Sequence, residues 1–146
     1  MQITRSVIIR RPLPEVEAWL SDIANDRLWQ EDVVESGVTS EGAVRVGTEG
    51  YEVRRLFGIP LRTFWVITGV EPGRSYSFKS TEAFVPYAGT VNFEPADSGD
   101  STRLTYSFTL LPEGLLALFE PLMEPLVANR LRADLEHLVK ILENRT

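Results

Sequence analysis

Four leucines near the end of the chain, Leu131, Leu135, Leu138 and Leu142, recur at steps of four, three and four. That spacing stacks them on one side of a 3.6-residue helix, and such a stripe has to be covered by other parts of the chain. A single long helix from Pro112 to Arg145 is expected. Glu136 and Lys140, and likewise Arg130 and Asp134, stand four apart and are assigned to the side away from the stripe. The front half differs. Leu115, Leu116, Leu118, Phe119, Leu122, Met123, Leu126 and Val127 are too many apolar residues for one narrow stripe, and Pro121 and Pro125 each remove a helical hydrogen bond. Residues 112–127 are therefore expected to form an adjustable lid, and Leu131 to Leu142 the fixed core.

The material that covers the stripe comes earlier. Ile3, Val7 and Ile9 mark a first strand, and Pro14, Glu15 and Glu17 open a short helix whose apolar face is Val16, Trp19, Leu20 and Ile23. Ser21 or Asp22 is placed to cap a second short helix reaching Trp29. Alternating segments follow: a strand within Val33 to Val46, then Thr48 to Phe57, Leu61 to Val70, Ser75 to Glu82, Tyr87 to Glu94 and Thr102 to Leu111. Turn residues separate them, notably Glu71-Pro72-Gly73-Arg74. Strands first and one long helix last imply an α+β domain, an antiparallel meander with the helix on one face, in one unit spanning residues 1–146.

Alternation assigns the faces. The inward sets are Tyr51, Val53, Arg55 and Phe57; Tyr76, Phe78 and Ser80; Tyr87, Gly89, Val91 and Phe93; and Leu104, Tyr106, Phe108 and Leu110. Trp65 and Ile67 join them because pairing across the Pro72 turn sets them beside Ser80 and Phe78. All four tyrosines of the chain fall on these sets, and a buried hydroxyl needs a partner. Plain core with hydroxyls reaching the rim accounts for such a pattern, and so does a cavity that holds a ligand. The candidate ligand-binding residues are Tyr51, Val53, Arg55, Trp65, Ile67, Tyr76, Phe78, Tyr87, Val91, Phe93, Tyr106, Phe108, Leu122, Glu124 and Leu126.

Arg55 is the one charge on an otherwise apolar inward set, so it is expected either to meet an acidic or anionic partner or to reach water from the strand end. Glu120 and Glu124 sit close to the leucine stripe by helical count, with two prolines interrupting that count; they face either the cavity mouth or solvent. His137, the only histidine, lies off the stripe, which leaves a catalytic triad or a histidine metal site without support. The chain has no cysteine and no glycine-rich phosphate cradle, so no metal and no cofactor is expected. A net charge of −6 disfavours nucleic acid. Residues Met1 to Arg11 alternate and lack an apolar core, so neither signal peptide nor membrane insertion is expected and a cytoplasmic location is. The apolar front of the helix offers a surface for a second copy of the chain or a membrane face.

Several runs, taken in order, resemble the SRPBCC superfamily, the START-like or helix-grip proteins, and within it the polyketide cyclase/dehydrase and lipid-transport type. They are Trp19 to Trp29 (WLSDIANDRLW), Val46-Gly47-Thr48, Val70-Glu71-Pro72, Gly89 to Pro95 (GTVNFEP), Thr102 to Phe108 (TRLTYSF) and the leucine-rich helix. The resemblance implies a seven-stranded antiparallel sheet wrapped around a long C-terminal helix, with two short helices after the first strand and a deep apolar cavity. It further implies a small hydrophobic or amphipathic ligand of lipid, polyketide or aromatic type, carried or, in some members, cyclised or dehydrated. The superfamily shares no catalytic motif, so the resemblance carries over no catalytic residue.

Overall fold

The computed structural model describes residues 1–56 and 58–145; the expected inward placement of Phe57 lies outside the described residues. Seven antiparallel strands make one sheet, β1 (Gln2–Ile9), β2 (Val33–Val38), β3 (Glu49–Leu56), β4 (Ile59–Glu71), β5 (Ser75–Glu82), β6 (Tyr87–Ala96) and β7 (Ser101–Leu110). Strands β2 to β7 run as a meander, and β1 returns to pair with β7, giving the order β1-β7-β6-β5-β4-β3-β2. Gly73, at φ 74°, makes the turn at Glu71-Pro72-Gly73-Arg74, where the Arg74 N–H donates to the Glu71 carbonyl at 2.9 Å.

Between β1 and β2 lie α1 (Leu13–Ser21), a 3₁₀ turn (Ile23–Asn25) and α2 (Asp26–Trp29). Proline opens α1 and the Asp22 carboxylate accepts from the Ala24 N–H at 3.2 Å, so the break between the helices is capped. α1 buries Leu13, Val16, Trp19 and Leu20. These meet Ile9, Val91, Phe93 and Leu104 from the sheet and Leu135, Leu138 and Leu142 from the closing helix in one core.

That closing helix, α3 (Glu120–Glu143), begins later than the leucine pattern suggests. Residues Gly114–Phe119 form a 3₁₀ turn, and Pro121 occupies the first turn of α3, where its missing N–H costs nothing. Leu135, Leu138 and Leu142 are fully buried, whereas Leu115, Leu118, Phe119, Leu122 and Leu126 are exposed. Asp134 is not on the solvent side. It is buried, and its carboxylate accepts the Glu31 N–H at 3.2 Å, with Arg130 at 3.8 Å. The α2 segment covers that flank of the helix, which helical spacing alone does not disclose.

The face assignment is correct for β4 to β7, where Trp65 pairs with Ser80 and Ile67 with Phe78. It is inverted on β3. Gly50 pairs with Trp65, and a Cβ at position 50 would lie 2.1 Å from the indole ring. Trp65 faces inward and covers Gly50, so the set that faces in is Gly50, Glu52 and Arg54, while Tyr51 and Val53 point away and Arg55 lies exposed at the strand end. Tyr51 donates its hydroxyl to Glu35 at 2.7 Å and lies under the Arg62 guanidinium on the outer face.

The glycine beneath the tryptophan gives a direct check. Gly50→Ala is expected to cost about 1–3 kcal/mol in urea unfolding through overpacking against Trp65. Gly69→Ala, whose Cβ would meet the Ser77 Cβ at an ordinary 3.8 Å, should stay within about 0.5 kcal/mol of the parent.

Candidate functional site

The concave face and α3 enclose a cavity of about 610 Å³. That lies in the range of small-molecule sites, roughly 300–1,000 Å³. Strands β3 and β4 supply Glu52, Arg54, Leu61 and Thr63; β6 and β7 supply Tyr87, Tyr106, Phe108 and Leu110; the helix supplies Met123, Leu126, Val127 and Leu131. Arg55, Leu56, Phe84 and Leu126 line it and are exposed, so the cavity opens to solvent beside them. Arg130 and Asp134 mark the wall nearest α2.

A polar group stands inside these apolar walls. Glu52 and Arg54, two apart on β3, share its inner face, with Arg54 Nε 3.2 Å from Glu52 Oε1. Arg54 also donates through Nη2 to Gln30 Oε1 at 2.5 Å, joining the strand to the residue that follows α2. Burial works most strongly against the Arg54 charge, but Glu52 together with Tyr106 and Asp134 outweighs that cost and holds the guanidinium protonated above the ordinary arginine value. Removing either partner would leave an uncompensated buried charge.

The tyrosines divide. Tyr87 shares a 3.0 Å hydrogen bond with Thr63, while for the hydroxyls of Tyr76 and Tyr106 no hydrogen-bond partner is found among the described residues. Burial raises the pKa of all three, so they remain neutral phenols and act as hydrogen-bond donors rather than bases. Their rings form a continuous aromatic run: Tyr87 stacks on Phe108 at 5.8 Å, Tyr106 lies 6.3 Å from Phe108, and Trp29 meets Tyr106 edge-on at 6.1 Å. Such pairs contribute about 0.5–1.5 kcal/mol each beyond area burial and keep the wall rigid.

Behind Arg54 is a second, smaller space of about 50 Å³. Trp29, Gln30, Glu52, Arg54, Tyr87, Tyr106 and Phe108 border both spaces and form the partition. Asp26, Tyr76, Phe78, Trp65 and Ile67 line only the inner one. Burial, then the negative charge of Glu52, pushes the Asp26 carboxyl up to about 8, offset in part by the Trp29 N–H and Arg54. Burial also raises Asp134, although the Glu31 N–H and Arg130 oppose it.

The expected site residues therefore scatter. Tyr87, Tyr106, Phe108 and Leu126 line the main cavity, and Trp65, Ile67, Tyr76 and Phe78 the inner one. Val91 and Phe93 are buried in the core behind the site. Tyr51 and Val53 are on the outer face. Arg55 stands exposed at the mouth, its N–H donating to the Asp32 carbonyl at 2.8 Å. Leu122 and Glu124 are exposed and line neither space, because the proline-started helix turns them to solvent. Glu120 reaches the Met1 amino group at 2.6 Å, and His137 is exposed. Glu52, Arg54, Gln30, Asp26 and Trp29 were not foreseen in the site. One signal for the first two was available: a hairpin closed at Gly58 sets Gly50 opposite Trp65 and turns Glu52 and Arg54 inward. Among the described residues no group of three or more His, Asp or Glu is placed to hold a metal ion.

A seven-stranded antiparallel sheet gripping a C-terminal helix around an apolar cavity defines the helix-grip class, the START-like fold. The chain belongs to the polyketide cyclase / dehydrase and lipid transport family, whose sequence profile matches residues 1–143. No curated protein matches its sequence. Among solved structures, it is similar to a protein of Thermus thermophilus at a TM-score of 0.81 and 19% identity, with 96% of this chain and 95% of that one covered. The Zhui aromatase/cyclase of Streptomyces gives 0.80 at 16% identity, covering 99% and 94%. A START superfamily protein of Mycobacterium smegmatis gives 0.72 at 14%, covering 99% and 95%. At these identities the likeness is one of fold. No helix among the described residues is long and apolar enough to cross a membrane.

Asp26 has a measurable consequence. A carboxyl whose folded pKa stands near 8, above the ordinary 3.8, binds its proton more tightly in the folded state than in the unfolded one. Its contribution is full below about pH 4 and is lost as pH rises towards 8, by up to about 1.4 kcal/mol per pH unit. Asp26→Asn should remove that slope, seen as the difference between the urea unfolding free energies of parent and variant from pH 4 to 9.

Proposed function

We propose that the chain binds and encloses an apolar or amphipathic small molecule of lipid, polyketide or aromatic type between its sheet and α3. The observation that supports this most directly is the cavity of about 610 Å³, walled by aromatic and aliphatic side chains and open at one end. Apolar surface left in contact with water in such a space is relieved by a ligand of matching shape. The exposed Leu118, Phe119 and Leu122, next to Met123 and Leu126, make an apolar rim across which that ligand enters. Residues 114–127, with two prolines and few buried side chains, act as the lid. The neutral dye N-phenyl-1-naphthylamine should bind with a gain in emission. Val127→Trp, which fills the cavity from the helix side, should weaken that binding by about tenfold or more without a matching loss of thermal stability. Undiminished dye binding in the variant would overturn the assignment.

A second reading, cyclisation or dehydration of a keto-bearing chain, is favoured by Arg54, Tyr87 and Tyr106 facing one cavity. Neutral phenols and a fixed guanidinium can polarise carbonyl oxygens, and the walls hold a flexible chain folded. A synthetic poly-β-keto thioester incubated with the protein and followed by mass spectrometry tests it. An enzyme of this kind should accelerate product formation over buffer, and Arg54→Leu should reduce the rate about 100-fold. An unaccelerated reaction with the parent protein leaves carriage alone.

A further inference from the structure

The inner space behind Arg54 carries a set of polar groups that the main cavity does not account for. Trp29 is 3% exposed, and its indole nitrogen is buried without a hydrogen-bond partner among the described residues. It stands near enough to the Asp26 carboxyl to favour that group's charged form without reaching hydrogen-bond geometry. The Tyr76 hydroxyl borders the same space, and no partner for it is found among the described residues. A buried donor left unpaired costs about 1–3 kcal/mol. Here one such donor, the Trp29 N–H, borders a chamber of about 50 Å³ together with the Tyr76 hydroxyl and a carboxylic acid. One ordered water needs roughly 10–15 Å³ of such volume, so the chamber holds about three waters, or an oxygen-bearing group of similar size.

We propose that this inner chamber is a specificity subsite for an uncharged carbonyl oxygen at one end of the ligand, received by Tyr76, Trp29 and the acid form of Asp26, with the ligand's apolar body in the main cavity. The assignment rests on the binding function proposed above and adds the chemistry of the ligand's buried end. Charge selects the neutral group. A carboxylate or phosphate entering the chamber would meet the charge of Glu52, and an ammonium would meet Arg54, and these two are already held by each other and by Gln30 at the partition. A carbonyl accepts and carries no charge, so it satisfies the donors without either repulsion. The groups that face Asp26 are Asp22 ahead of the 3₁₀ turn, Glu52 and Arg54 on β3, Tyr76 on β5, Tyr87 on β6 and Tyr106 on β7. Burial keeps the three phenols protonated through neutral and mildly alkaline pH. The carboxyl of Asp26, at about 8, loses its proton within that range.

Two probes of one shape test this, 2-acetylnaphthalene and 2-isopropenylnaphthalene, which exchange a carbonyl oxygen for a methylene group. Measured by displacement of the dye at pH 6.5, the ketone should bind about tenfold more tightly to the parent protein. Tyr76→Phe, which removes only the unpartnered hydroxyl, should reduce the preference to about threefold or less and leave the hydrocarbon's affinity unchanged. Raising the pH through 8 should erode the preference in the parent. In Asp26→Asn, which keeps a donor and does not titrate, the preference should persist. Equal affinity of the two probes, or a preference untouched by Tyr76→Phe, would overturn the subsite while the binding function stands. Binding of neither probe would overturn both.

Discussion

The ring of Trp65 occupies the space where any residue other than glycine at position 50 would carry its Cβ. This contact sets which face of β3 looks inward, and the chemistry of the cavity depends on it. With Gly50 under the indole, Glu52 and Arg54 follow on the same face, and the only charges on the inner side of that strand become the polar centre of the site. Gly89 repeats the device, since a Cβ there would stand 2.5 Å from the Phe78 ring. Two aromatic side chains thus lie flat across neighbouring strands instead of standing up from the sheet. The room left above them is the inner chamber.

Bringing an ion pair into that space is stabilising only when each partner is satisfied, and the chain supplies the third group from outside the sheet. Gln30 follows α2 and bonds Arg54, and the same segment sends the Glu31 N–H to Asp134 on α3. The stretch after α1 therefore joins sheet and helix by polar contacts along the wall marked by Arg130 and Asp134. At the other end the helix front is held at its first residue, where Glu120 meets the Met1 amino group at 2.6 Å, and its leucines are exposed. Rigidity on the side of Leu135, Leu138 and Leu142 and an unburied apolar front are what a container needs: one end holds shape, the other admits a guest.

Much of this was legible beforehand. The spacing of Leu131 to Leu142, the turn at Pro72-Gly73 and the alternation in β5, β6 and β7 each match one structure and no obvious competitor. The inward aromatics Tyr76, Phe78, Tyr87, Tyr106 and Phe108 stand where alternation puts them. For β3 the same reasoning favoured Tyr51 and Val53 as interior over Glu52 and Arg54, because apolar residues are ordinarily the buried ones. A functional cavity reverses that preference locally, as Glu52 and Arg54 satisfy each other inside. Helix position misled at Asp134 for a related reason, since a neighbouring segment covers it and supplies its donor.

What the sequence by itself determined is the class of fold: a leucine stripe that needs covering, and strands whose period of two supplies a cover, are local patterns that neighbouring residues enforce. Only the tertiary structure decided what the cavity can recognise. The face of a strand is a two-fold choice that flips on a single residue of register, and here the Trp65 ring across the hairpin makes it. The groups that complete the burial of Arg54 and Asp134, Gln30 and the Glu31 N–H, come from a segment distant in the chain. Burial of a charge depends on where its partner arrives, and that is a property of the folded whole.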